Sequence, residues 1–179
     1  KLHDGIKSIY AVKSAMALHG WDQETKMPVG GGNSRAFIMS ELAGHLHRAM
    51  TKPAFIELLD LLSVDSSLSP EWRACVRAMQ QDCHRKAKIP VTLDKALVQA
   101  ASLAQHAWSE ARSQGNPEVF LPLFRQLIHL KREEADCLRE NNQSKYEALM
   151  QAYEPGITLS AIEPVFDELE VGQAQWHSR

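Results

Sequence analysis

Apolar residues recur along this chain at helical rather than strand spacing. Leu2, Ile6, Ile9 and Met16 form one stripe, interrupted by Lys13, with Val12 beside it. Steps of three and four put such residues on one side of a helix. The pattern predicts a first helix over about 4–19, closed by Gly20 in the left-handed conformation. Ile38, Leu42, Leu46 and Met50 recur every fourth residue and predict a second, capped by Asn33 or Ser34 and ending near Met50. Thr51 followed by Pro53 reads as a cap with a first-turn proline, and Phe55, Leu58, Leu59 and Leu62 give that helix its apolar side. The polar, Ser-rich stretch 63–69 reads as a loop. Ser69-Pro70 repeats the start signal, and Trp72, Val76, Met79 and Cys83 are the expected buried stripe of a fourth helix. That helix runs to about Lys88, because Ile89 precedes Pro90 and is held extended.

Thr92 is the expected cap of a fifth helix, with Gly115 just past its end. Leu93, Leu97, Ala100, Ala104, Ala107, Trp108 and Ala111 line one side of it, and so many small residues let a neighbour approach closely. Asn116-Pro117 begins a sixth helix carrying Phe120, Phe124, Leu127, Ile128, Lys131, Ala135 and Leu138, with a kink or reset at Pro122. Tyr146, Leu149, Met150 and Tyr153 make a short helix stopped by Pro155-Gly156. A last one begins at Thr158 or Ser160, where Ser160 and Glu163 fit a capping box and Ile162, Phe166 and Leu169 form the core face. No run alternates with period two for long enough to make a strand. The expected fold is all-α, a multi-helix array or bundle, with 1–179 as a single helical region.

Between the first two helices lies a polar elbow: Trp21-Asp22-Gln23-Glu24-Thr25-Lys26-Met27-Pro28, then Gly30-Gly31-Gly32 and, after Asn33-Ser34, Arg35. Pro28 fixes its own φ and holds Met27 extended. A Trp beside two carboxylates points to an elbow tucked against the body, with Trp21 buried. Asp22 or Glu24 would then bond backbone amides or an arginine, Arg35 or Arg112, as a structural clasp.

Composition narrows the classes. Apolar residues make up 44% and charged ones 23%, as in ordinary globular domains. A net charge of -2 gives no electrostatic footprint for nucleic acid. No apolar run approaches membrane-spanning length. The three cysteines, Cys75, Cys83 and Cys137, with no secretory signal in view, lead to an expectation of reduced thiols in a cytoplasmic protein. The chain opens on Lys1 rather than Met, as a fragment would.

Eight histidines invite a search for metal. A helical zinc site uses two His at i and i+4, and no such pair occurs. His45 and His47 are two apart, Cys83 and His84 are adjacent, and Cys75 and Cys83 lack clustered partners. No Gly-x-Ser-x-Gly elbow occurs, and the glycine run lacks a phosphate loop's Lys-Ser/Thr ending. No catalytic residue, metal ligand or cofactor is expected within the chain.

The elbow sequence Trp-Asp-Gln-Glu-Thr-x-Met-Pro, with its glycine pair and Arg35, resembles the N-terminal signature of the carboxypeptidase Taq family of zinc metallocarboxypeptidases. Two later stretches agree in order. One is Ala107-Trp108-Ser109-Glu110-Ala111-Arg112 with Phe120, Pro122 and 130–135; the other is 145–149 with Tyr153-Glu154-Pro155-Gly156, Phe166 and Leu169. The family's His-Glu-x-x-His motif does not occur here. The resemblance implies the N-terminal helical part of a larger, mostly helical enzyme that removes C-terminal residues from peptides. In such an enzyme a zinc-activated water attacks the carbonyl, with the motif Glu as general base. This part would form a wall or cover of the substrate cleft, inert alone, in a parent that works as a homodimer. The clasp of Trp21, Asp22, Glu24, Arg35 and Arg112 would lie on the cleft side. Its partners would be the remainder of the chain and, in the parent, peptide substrate. The alternative is a stand-alone, non-catalytic helical binding module. The apolar set Phe120, Leu121, Leu123, Phe124, Leu127, Ile128 and Leu130 exceeds one helix face, so the isolated chain is expected to self-associate.

Overall fold

The computed structural model describes residues 2–140 and 142–177, with side chains through Glu170. Among the described residues there is no strand. The helices are α1 (Leu2–Thr25), α2 (Gly32–Met50), α3 (Pro53–Ser63), α4 (Pro70–Ala87), α5 (Val91–Gln114), α6 (Leu121–Leu138), α7 (Lys145–Met150) and α8 (Leu159–His177). Single 3-10 turns at Val29–Gly31 and Pro117–Val119 lead into α2 and α6. Where the sequence points to one region, the chain forms two compact units that divide after Glu134.

The first unit is held by two zones of different chemistry. Ile9 of α1, Met50 of α2, Phe55 and Leu59 of α3, and Val76, Met79 and Cys83 of α4 form an apolar core. Leu59 and Cys83 are fully sealed in it. α3 and α4 make a hairpin whose start and stop follow local rules. Ser69 accepts from the Trp72 amide at 3.4 Å, and Pro70 sits in the first turn, where its missing N–H costs nothing. The second zone is α2 against α5. Ala36, Ser40, Ala43 and Gly44 meet a face of α5 built from Leu97, Ala100, Ala104 and Ala107, all buried.

That packing corrects the expected face of α2. Ile38 is exposed and Leu42 only half-buried, while the residues at 36, 40, 43, 44 and 47, mostly small, are buried. Backbone approach decides here. A Cβ on Gly32 would lie 2.8 Å from the His106 ring, and one on Gly44 would lie 3.0 Å from Lys95. Leu46 and Met50 still reach the apolar core.

The end of α1 is a second correction. The helix does not stop at Gly20 but runs on to Thr25. Gly20 keeps a negative φ, unlike Gly115, which caps α5 at φ 64°. The true stop is Pro28, which has no amide to offer and holds Met27 out of the helix. Lys26 and Met27 both donate to the Asp22 carbonyl, at 2.9 and 2.8 Å, and close the last turn. The two glycines at 20 and 32 predict opposite outcomes. Gly20 sits mid-helix, and a Cβ added there would meet nothing within 4 Å, so Gly20→Ala should stabilise by about 0.5–1 kcal/mol. Gly32→Ala should destabilise by about 1 kcal/mol or more, because the His106 ring must move. Thermal unfolding of the two variants checks the signs.

Smaller differences follow the same logic. Neither Asn33 nor Ser34 caps α2, and Thr92 does not cap α5; Gly31 and Pro90 stand at those positions. Lys52 rather than Thr51 precedes α3, and Thr51 instead bonds back to the His47 carbonyl at 2.8 Å. Pro122 lies in the first turn of α6, so the helix starts there rather than kinking.

In the second unit Ala135, Leu138 and Ala148 are buried. Ser144 and Glu147 form a reciprocal capping box on α7. Glu147 also accepts from the Leu159 amide at 3.3 Å, tying the start of α8 to α7. Those backbone donors, Ser144 first and Leu159 next, hold its carboxyl below the usual range. This contribution is present above the unfolded pKa and fades as pH falls through the lower folded one. The expected core face of α8 is not formed: Phe166 and Leu169 are exposed. Leu159 starts that helix, and Ser160 bonds Thr158 at 3.0 Å rather than closing a box with Glu163.

Candidate functional site

The end of α1 carries consecutive polar side chains that fan out to two other helices. Asp22 receives an Nη2–H bond from Arg35 of α2, and the same guanidinium donates to the His19 carbonyl on α1. Gln23 and Ser102 of α5 bond each other twice. Gln23 Nε2 donates to the Ser102 carbonyl, and Ser102 Oγ donates to Gln23 Oε1, both at 2.8 Å. Glu24 accepts from Gln105 Nε2 at 2.9 Å, one turn further along α5. Helical spacing makes this possible, because residues 22, 23 and 24 point in three directions about 100° apart.

Of the residues expected in a clasp, Asp22 and Arg35 are bonded to each other, and Glu24 is bonded by an amide rather than an arginine. Arg112 takes no part in these bonds. It stacks its guanidinium 5.6 Å over the ring of Trp108, its neighbour one turn back on α5. Sequence reasoning misses Gln23 and Ser102 as partners. The only signal for them is that Gln23 lies inside the polar run while Ser102 interrupts an Ala-rich face.

Trp21 overturns the expectation of burial: 55% of its surface is exposed. Trp72 and Trp108, also placed on buried stripes by spacing, are both about half exposed. The polar residues that follow Trp21 hold the backbone, so the ring is fixed at its base without being covered.

A second polar cluster lies inside the first unit. Asp94, in the first turn of α5, accepts from Lys86 of α4 at 2.9 and 3.1 Å and meets His47 Nδ1 of α2 at 3.0 Å. Asp94 and His47 are buried. A carboxylate only accepts, so Nδ1 carries the proton. Sequence spacing misses this cluster because His47 and Asp94 each sit beside an apolar stripe and read as its solvent edge. The carboxylate is engaged by a lysine and an imidazole from two other helices, so its work is to bolt three helices together.

Among the described residues no three His, Cys, Asp or Glu side chains gather in a group that could hold a metal ion. The donors among the described residues do not fit a zinc site. Cys83 has its thiol pushed up to about 11 by burial first and by Asp82 second. It is a core residue, not a nucleophile.

Comparison with known proteins gives a consistent result. The sequence profile of the family described as Carboxypeptidase Taq (M32) metallopeptidase matches residues 1–177. Thermostable carboxypeptidase 1 of Thermus thermophilus is 34% identical over 168 residues, covering 87% of this chain and 33% of its own length. Carboxypeptidase 1 of Bacillus subtilis is 29% identical over 168 residues, covering 93% and 33%. Among solved structures, the BsuCP crystal structure superposes with a TM-score of 0.86 at 29% identity, over 93% of this chain and 33% of that one. The Pyrococcus furiosus carboxypeptidase structure gives 0.73 at 27%, over 94% and 34%. The chain spans about a third of the length of the curated relatives it matches, 33% in each case.

Proposed function

The chain belongs to the carboxypeptidase Taq (M32) metallopeptidase family, and on that premise we propose that it is the N-terminal helical portion of a longer zinc-dependent metallocarboxypeptidase. The parent removes C-terminal residues from peptides, and this portion forms a wall or cover of the substrate cleft. The observation that carries the reading is the superposition on BsuCP, which takes in 93% of this chain but only 33% of that structure. Catalytic and metal-binding residues belong to the remainder.

Several features of the chain support this. The Asp22–Arg35 and Gln23–Ser102 bonds make the end of α1 a rigid corner, as a fixed wall requires. α6 carries apolar residues around roughly 200° of its circumference at 3.6 residues per turn. Among the described residues of the first unit no helix lies closely along it, and Phe124 and Ile128 remain exposed. Such a face needs a second neighbour. We place the parent in the cytoplasm as a homodimer. The cysteines are free, and among the described residues no helix is long and apolar enough to cross a membrane.

The isolated chain should hold no stoichiometric zinc and release no amino acid from a peptide. Elemental analysis and a C-terminal release assay check both; one tightly held zinc per chain would sink the reading. Reading the coding sequence beyond Arg179 tests it more cheaply. A frame continuing to His-Glu-x-x-His supports the enzyme, and a stop codon selects the non-catalytic module.

A further inference from the structure

The outward side of α1 is a seam with a regular repeat. Ala11, Ser14, Leu18, Trp21 and Thr25 follow one another at alternating steps of three and four, and all are exposed. None is charged. Leu18 is 64% exposed and Trp21 55%, while the opposite side of the helix sends Ile9 into the core and Leu2 and Ile6 against it. A three-four repeat is the spacing by which one helix receives another along its length. The small residues Ala11 and Ser14 admit close approach at one end, and the large Leu18 and Trp21 supply contact area at the other. From Ala11 to Thr25 the line carries no charge, whereas a helix face that meets only water is typically charged or polar throughout.

Trp21 is also preorganised. Arg35 grips α1 at His19 and Asp22, on either side of Trp21, and Gln23 is locked to Ser102 just beyond. A bulky aromatic ring on a backbone already fixed loses little freedom on burial, and such residues dominate binding energy at interfaces.

We infer that this seam is the docking strip for a helix contributed by the part of the parent chain that lies outside these residues. The inference rests on the reading of the chain as a portion of a longer carboxypeptidase. The occupant is argued from length: relatives are about three times as long as the matched region, 33% of each being covered. It is argued also from the seam itself, which fits an apolar helix face and offers an extended peptide no sheet edge and no charge.

Hydroxyl-radical footprinting, read peptide by peptide by mass spectrometry, tests this on the 179-residue chain and on the full-length protein. In the short chain Leu18 and Trp21 oxidise readily. In the full-length protein both are protected several-fold, at every concentration tried. Equal oxidation in the two proteins overturns the inference. Protection that disappears on dilution overturns it too, because the occupant is then a second copy. A variant gives an independent reading. Trp21→Ala should shift the Tm of the short chain by less than about 2 °C, as surface changes do. In the full-length protein it should lower Tm by clearly more. If no longer gene product exists, the carboxypeptidase reading itself fails, which is a different result from an unprotected Trp21 in a full-length enzyme.

Discussion

Asp94→Ala should cost the chain about 3–5 kcal/mol, the penalty for leaving buried charge without its partner. The carboxylate is shared by Lys86 at 2.9 and 3.1 Å and His47 at 3.0 Å. Removing it strands an ammonium and an imidazole N–H where three helices meet. Lys86 keeps about a quarter of its side chain in solvent, so it can swing outward, which pulls the expectation toward the lower end of the range. His47 is sealed and cannot. For a domain of this size such a loss lowers Tm by roughly 10 °C. Urea unfolding should show a fall in midpoint with an unchanged slope. Asp94→Asn should lose less, because the amide oxygen still accepts from His47. Replacing all three residues by apolar ones of similar volume should recover much of the loss. An Asp94→Ala variant within about 0.5 kcal/mol of the unsubstituted chain would mean that the cluster is not a bolt.

Arg35→Ala should be the next most damaging polar change, at about 2–3 kcal/mol. Two charge-assisted bonds go at once, one to Asp22 and one to the His19 carbonyl, and each such bond contributes about 1.5–3 kcal/mol. The full sum is not expected. Asp22 is about one-third exposed, and water screens what remains. Arg35→Lys should recover only part, since an ammonium cannot span both acceptors as a planar fork does. A double-mutant cycle with Asp22→Asn isolates the pair; a coupling near zero would show that the guanidinium serves only the carbonyl. Trp21→Ala is the contrast. Its half-exposed ring should matter far less to this chain than Arg35 does.

The architecture is legible in the sequence wherever a strong local signal agrees with packing. Ser69-Pro70 opens α4, Gly115 closes α5, and Val76, Met79 and Cys83 face inward as their spacing implies. The Ala-rich side of α5 foretells close approach, and α2 supplies it. Three kinds of feature escape. Gly20 reads as a helix end, but the amides beyond it have carbonyls to bond, and the chain has no reason to stop before Pro28. On α2 the large residues Ile38 and Leu42 outshine the small ones, although the small ones permit the tightest contact. Size assigns Trp21, Trp72 and Trp108 inward, yet each stays about half exposed, while smaller residues such as Val76, Ala104 and Ala107 take the buried positions. At the site, Asp22 and Arg35 are readable as opposite charges near one corner. Gln23, Ser102, His47 and Asp94 are not, because their partners lie 47 or 79 residues away in sequence.

The contrast between two thiols on α4 gives the protein a built-in stopwatch. Cys75 is exposed and Cys83 is fully sealed among Ile9, Leu59 and Val76. With the half-buried Cys137 replaced by serine, a coloured thiol reagent titrates the first within its mixing time. The second reacts only when the four-helix core opens, because its fully buried sulfur is out of the reagent's reach and the same burial pushes its thiol up to about 11. At reagent concentrations where labelling outruns reclosing, the slow phase of such a titration gives the rate of core opening, and at lower concentrations it gives the opening equilibrium, both without denaturant.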